Sequence, residues 1–242
     1  MGRLGVAVLF VAALMAGAAY LVFNYVDVVV KVALERWGPD VIGAPVHVGE
    51  VQISVKTGRG AIRNLEIGNP AGFTAKNAAR FGEIRVAVDP STLTDKLIVI
   101  HEIAVDSPTI TYEKANKATN LDVIQSTIES YVKRASAVAE AAGGEKAESL
   151  KRKFVIERLS IHGGRVLMTT AGLKGQGVSF DLPEVELRDI GKGKGGVTAS
   201  EAAAVVTSTL QNKIGQKILT NVELLRRGGV EGAIDALKGL VK

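Results

Sequence analysis

The chain has 242 residues, 47% of them apolar and 23% charged, which excludes a disordered polymer and allows one or two domains. Lys plus Arg number 30 against 25 Asp plus Glu, too even a balance to mark a nucleic-acid binder, and aromatics at 5% are too few for base stacking. There is no cysteine, so thiol catalysis, disulfides and cysteine-held metals are excluded.

From Leu4 to Phe23 runs a stretch of 20 uncharged, almost wholly apolar residues, long enough to cross a bilayer as a helix. Arg3 and the α-amine are the only charges before it, so the positive-inside rule keeps the N-terminus cytoplasmic and exports the rest. A cleaved signal peptide is the rival reading, with Ala16-Gly17-Ala18 as its cleavage site. Against it, the apolar run continues past that site to Phe23. The expected layout is a transmembrane anchor over 1–24 and a juxtamembrane helix over 25–39, stopped by Gly38-Pro39.

After Pro39 the apolar period becomes two. Val46 and Val48 alternate with polar residues, and Val51, Ile53 and Val55 do so after a bulge at Gly49. Similar runs hold Ile84, Val86 and Val88, then Ile110 and Tyr112, Val166 and Met168, and Val185 and Leu187. Turn residues separate them, giving about nine short strands that, side by side at ~4.8 Å, would span roughly 40–45 Å. A helical insertion is expected over about 119–142, from Leu121, Ile124, Ile128, Tyr131 and Val132. C-terminal helices are expected over 197–242, opening on the capping box Thr198-x-x-Glu201.

The strands repeat. Gly49-Glu50-Val51-Gln52-Ile53 matches Gly82-Glu83-Ile84-Arg85-Val86, and Pro183-Glu184-Val185-Glu186-Leu187 is a third copy. Ile100–Ile103–Val105 matches Ile156–Leu159–Ile161, and the match continues from Pro108, Ile110 and Tyr112 to Gly164, Val166 and Met168. Stacked copies build one sheet with one continuous apolar face. The expected fold is therefore α+β: a single N-terminal transmembrane helix, then a repeat-built, mainly antiparallel curved sheet forming an open groove over residues 40–190, with the helical insertion and C-terminal helices.

Several stretches together resemble the AsmA-like family of bacterial envelope proteins. They are Gly43-Ala44-Pro45-Val46, Gly58-Arg59-Gly60 with Ile62, Leu65 and Ile67, Asn69-Pro70-x-Gly72-Phe73, and Ile84-x-Val86-x-Val88-Asp89. The likeness covers residues 1–115 best and fades beyond. It implies an inner-membrane anchor, a periplasmic lipid-lined groove and a role in outer-membrane lipid homeostasis. The chain is shorter than a member that bridges two membranes.

No nucleophile elbow, Walker A or zinc-protease motif is present, and no enzyme activity is expected. His47, His101 and His162 have no second ligand at metal-binding spacing, so no metal or cofactor is expected. Gly191-Lys192-Gly193-Lys194-Gly195-Gly196 fits a dinucleotide fingerprint but lacks a following parallel strand. It reads as a basic loop whose lysines, with the amides at Thr198, could meet a lipid phosphate. Lys151, Arg152 and Lys153 form a basic cluster that reads as solvated surface or, with Lys192 and Lys194, as headgroup contacts. The acyl-chain candidates are Val51, Ile53, Val55, Ile84, Val86, Val88, Ile100, Val105 and Ile110. Two functions follow: a phospholipid-binding protein of the inner membrane, or a structural subunit whose apolar faces meet other envelope proteins or a second copy.

Overall fold

The repeat that relates Ile100–Val105 to Ile156–Ile161 lies side by side in space, whereas the copies at Gly49, Gly82 and Pro183 fall on strands that are not neighbours. In the computed structural model, which describes residues 25–115, 118–142, 152–170, 177–199, 201–206, 208–210 and 212–213, the chain forms one ten-stranded sheet. Its strands are β1 (Val46–Ser54), β2 (Arg59–Gly68), β3 (Asn77–Val88), β4 (Leu97–Asp106), β5 (Thr109–Ala115), β6 (Ala118–Thr119), β7 (Lys153–His162), β8 (Arg165–Thr170), β9 (Gly177–Asp181) and β10 (Val185–Ile190). Helix α1 covers residues 25–42, α2 runs over Asn120–Ala142, and the described residues of α3 lie between 199 and 213.

The class is α+β and the sheet is mixed, with most ladders antiparallel. Two are parallel: β4 with β7 and β5 with β8. Leu97 lies beside Lys153 and Lys114 beside Thr170, both 56 residues on. The second copy of the repeat therefore pairs with the first without slipping. A parallel partner needs a long crossover, and α2 lies in it.

Register also corrects the expected width. β3 pairs along one edge with both β4 and β5, so those two strands run end to end. β7 and β8 do the same beside them, and so do β10 and β9. Apart from the two-residue β6, the strands thus form six long ribbons, about 24 Å across at ~4.8 Å spacing.

In one row of the sheet, a position of every ribbon drops out of the regular ladder: Gly49, Asn64, Gly82, Ser107, Gly163 and Pro183. Asn64, Ser107 and Gly163 have φ of 52°, 51° and 60°. A Cβ on Gly49 would stand 2.8 Å from that of Asn64, so glycine is needed for the close approach. An extra residue reverses which side chains face inward. Because every ribbon carries it in the same row, all six switch together, from Val46 and Val48 to Val51 and Ile53 in β1. The sheet creases and its apolar residues stay on one side.

The hydrophobic core sits under one half of that side. Ile156, Leu159, Ile161, Val166, Met168, Val185 and Ile190 are buried with Val197 and Ala202 at the start of α3, and Val206 and Leu210 pack on them. Four-residue spacing puts Ala202, Val206 and Leu210 on one helix face.

The membrane expectation is corrected. Among the described residues no helix is long and apolar enough to cross a membrane, which removes the support for a single-pass inner-membrane anchor with a cytoplasmic N-terminus and a periplasmic body. The expected anchor, 1–24, lies outside the described residues, as do Lys151 and the last C-terminal stretch, 214–242. Helix α1 carries Asp27, Lys31 and Glu35 and turns these charges onto the sheet edge.

Candidate functional site: the apolar face and its borders

Across the sheet the ladders line up rows of side chains. One row reads Val51, Ile62, Ile84, Val105, Ile161 and Val185; the next reads Ile53, Gly60, Val86, Ile103, Leu159 and Leu187. Both rows face the apolar side. Their β7 and β10 ends belong to the core under α3, whereas Ile53, Ile62, Ile84 and Val86 are only partly buried and lie outside it.

The nine acyl-chain candidates divide accordingly. Val51 is buried, at 6% exposure, and so is already enclosed by the protein. Ile53, Ile84, Val86 and Val88 form a partly buried patch on β1 and β3. Val55 borders it from the turn after β1, where Gly58 N–H donates to its carbonyl. Ile100 and Val105 pack against the core. Ile110 lies beyond the crease, in a row with Val46, Ile67, Ala79, Val166 and Phe180.

Helix α1 closes the β1 border. Asp27 Oδ1 accepts from Ile53 N at 2.6 Å, Lys31 Nζ donates to Gly49 O at 2.9 Å, and Glu35 Oε1 accepts from Val48 N at 2.8 Å. The four-residue spacing of these side chains gives the helix one polar stripe, which satisfies the backbone of an edge strand. The Val48 amide, before any other influence, holds the Glu35 carboxyl below its ordinary range. On the outer side Tyr25, Val28, Val29 and Val32 are more than half exposed. The helix is amphipathic with its apolar stripe outward. That arrangement was readable in the polar spacing and was hidden by the valine content.

The Asn69-Pro70-x-Gly72-Phe73 block belongs to a buried latch. Glu113, with no exposed surface, accepts from Thr74 N at 2.8 Å, Thr74 Oγ1 at 2.6 Å, Ala75 N at 2.9 Å and Asn69 Nδ2 at 3.1 Å. Asn120, equally buried, bridges Asn69 Oδ1 and Thr111 O and accepts from Glu113 N. Burial alone pushes the Glu113 pKa up. The Thr74 hydroxyl and the amides of Ala75 and Thr74 outweigh it and hold the carboxyl below its ordinary value.

The opposite face is polar. Arg63 bridges Glu50 and Glu83, and Arg85 bridges Glu83 and Asp106. A shallow cavity of about 630 Å³ lies among Gln52, Ala61 and Ala87, bordered by Asp27, Arg59, Arg85 and Glu102, and also touches Ile53 and Val86. Two acids and two bases give it no preference for a charged ligand. Each histidine pairs with a glutamate at the surface: His47 with Glu35, His101 with Glu157 and His162 with Glu184. No group of residues fit to hold a metal occurs among the described residues.

The basic headgroup candidates are partly committed. Lys192 Nζ holds Asp189 at 2.9 Å, and Arg152 Nη1 donates to Leu93 O at 3.2 Å, whereas Lys153 and Lys194 are exposed beside the start of α3. The glycine-rich loop folds into a 3-10 turn, Lys192–Lys194, closed by Gly196 N donating to Gly191 O at 3.0 Å. A Cβ on Gly196 would meet Leu97 Cδ1 at 2.5 Å, so close chain packing accounts for this glycine. Thr198 and Glu201 form the reciprocal capping box: Thr198 N donates to Glu201 Oε2 at 2.7 Å and Glu201 N to Thr198 Oγ1 at 3.2 Å. The carboxylate of Glu201 thus occupies the place expected for a lipid phosphate.

Comparison with protein-family models gives no match, and comparison with curated protein sequences gives none.

Proposed function

We propose that the protein shelters the acyl chains of a phospholipid on the half of its apolar face that no described helix covers. The supporting observation is the contrast along single rows: Leu159 and Leu187 lie in or against the core under α3, while Ile53 and Val86 in the same row lie outside it. Each methylene placed there would gain about 0.8 kcal/mol. No reacting group is needed.

The test is native mass spectrometry of the purified full-length protein, with Val86→Asp as the comparison. Phospholipid in fixed ratio, absent from a folded Val86→Asp variant, supports the reading. A protein that carries no lipid, or carries it equally in both forms, refutes it. The outward stripe Tyr25, Val28, Val29 and Val32 on α1 favours a second reading, an assembly subunit that uses apolar surface as an interface.

A further inference from the structure

The two long edges of the sheet are treated differently. At β1, side chains of α1 occupy the outward backbone groups of Val48, Gly49 and Ile53. At β10, Pro183 has no N–H to offer and Lys213 Nζ donates to Glu184 O at 3.0 Å. Beyond Glu184 no described strand pairs with this edge. Ser107 N donates to His162 O, so the even residues in this part of β7 turn their backbone groups toward β4. Leu159 and Ile161 then turn theirs toward β10, opposite Leu187 and Val185. Strand alternation leaves the N–H and C=O of Glu186 and Arg188 pointing outward. At Asp189, φ of 54° interrupts the ladder, which resumes at Ile190 opposite Ile156.

From this geometry we infer that β10 pairs with β10 of a second copy of the chain, antiparallel about a two-fold axis at Leu187. That register places Glu186 opposite Arg188 of the second copy, and Arg188 opposite Glu186. The four outward backbone groups of each copy are those such a pairing uses, giving four inter-chain hydrogen bonds. The side chains are complementary as well. Arg188 already holds Glu186 of its own strand at 2.6 Å, and both side chains are at least half exposed. The axis would make a square of alternating charge from the two pairs. Leu187 would meet Leu187, carrying the apolar row across the junction. Because the β1 edge is occupied by α1, addition stops at two copies and does not run on into a fibre.

The experiment is native mass spectrometry of the full-length protein in mild detergent through a dilution series, with circular dichroism to establish that each variant is folded. The wild type should be a dimer. Glu186→Arg and Arg188→Glu each oppose like charges at two symmetry-related places, and each should raise the dimer dissociation constant about tenfold or more. The double exchange, Glu186→Arg with Arg188→Glu, should restore the dimer. Hydrogen exchange on the wild type provides a readout independent of mutation: the Glu186 and Arg188 amides should be protected in the dimer and lose that protection on dilution. A monomer at every concentration, a dimer indifferent to both single changes, a double exchange that fails to restore it, or pairing of this edge with a different protein would each overturn the inference.

Discussion

Replacing Glu113 probes the latch that joins the 69–76 loop to β5. Glu113→Ala removes the acceptor for four donors: Thr74 N, Thr74 Oγ1, Ala75 N and Asn69 Nδ2. An orphaned buried donor costs about 1–3 kcal/mol. Thr74 is exposed, so its hydroxyl and amide can turn to water, leaving the Ala75 amide and the Asn69 side chain as the main losses. The expected destabilisation is therefore about 3–5 kcal/mol with the cavity included. Glu113→Gln keeps the shape and one acceptor oxygen but turns an NH2 toward donors, and should cost about 2–3 kcal/mol. Urea unfolding at neutral pH measures both. The pH dependence supplies a second check. The carboxyl is held below its ordinary value in the folded state, so its contribution is complete above the unfolded pKa and is lost as pH falls through the folded one. The gap between wild type and Glu113→Gln should accordingly narrow under acid conditions. A loss below about 1 kcal/mol for Glu113→Ala, or a gap constant through the acid range, would refute the claim that this carboxylate holds the loop.

Two further outcomes are expected. Removing the edge caps with Asp27→Ala or Glu35→Ala should speed hydrogen exchange at the Ile53 and Val48 amides respectively, with little change at Ala104 in the sheet interior; equal exchange in wild type and variants would show that the caps do not protect this edge. Gly49→Val should destabilise by about 1–3 kcal/mol in thermal unfolding, because a Cβ there meets Asn64 Cβ at 2.8 Å and Arg63 O at 3.0 Å.

Much of the sheet was legible because side-chain period and backbone geometry are linked locally. The alternation at Ile84, Val86 and Val88 marked part of β3, and the break at Gly49 marked the crease. The repeat match of Ile100–Ile103–Val105 with Ile156–Leu159–Ile161 marked two strands that pair in register. Their parallel direction was not legible, since like sequences alternate in the same way whichever way the strands run. The same limit applied to the width of the sheet: a turn at Ser107-Pro108 and one at Thr57-Gly58 look alike in sequence, yet only the second reverses the chain. Asp27, Lys31 and Glu35 show why α1 was harder still. Their four-residue spacing marks a polar stripe, but the stripe's target is an edge that only folding brings close.

Local propensity and period suffice for the α+β class, the strand segments, the capping box at Thr198 and Glu201, and the existence of an apolar face. Tertiary structure decided which part of that face is core. Leu159 and Val86 occupy one row with the same apolar character, but the described residues of α3 pack on the side of Leu159. It also decided that Glu113 is a buried acceptor and that β1 is a closed edge. Burial and hydrogen bonding depend on what other segments bring to a residue, and a local pattern carries no record of that.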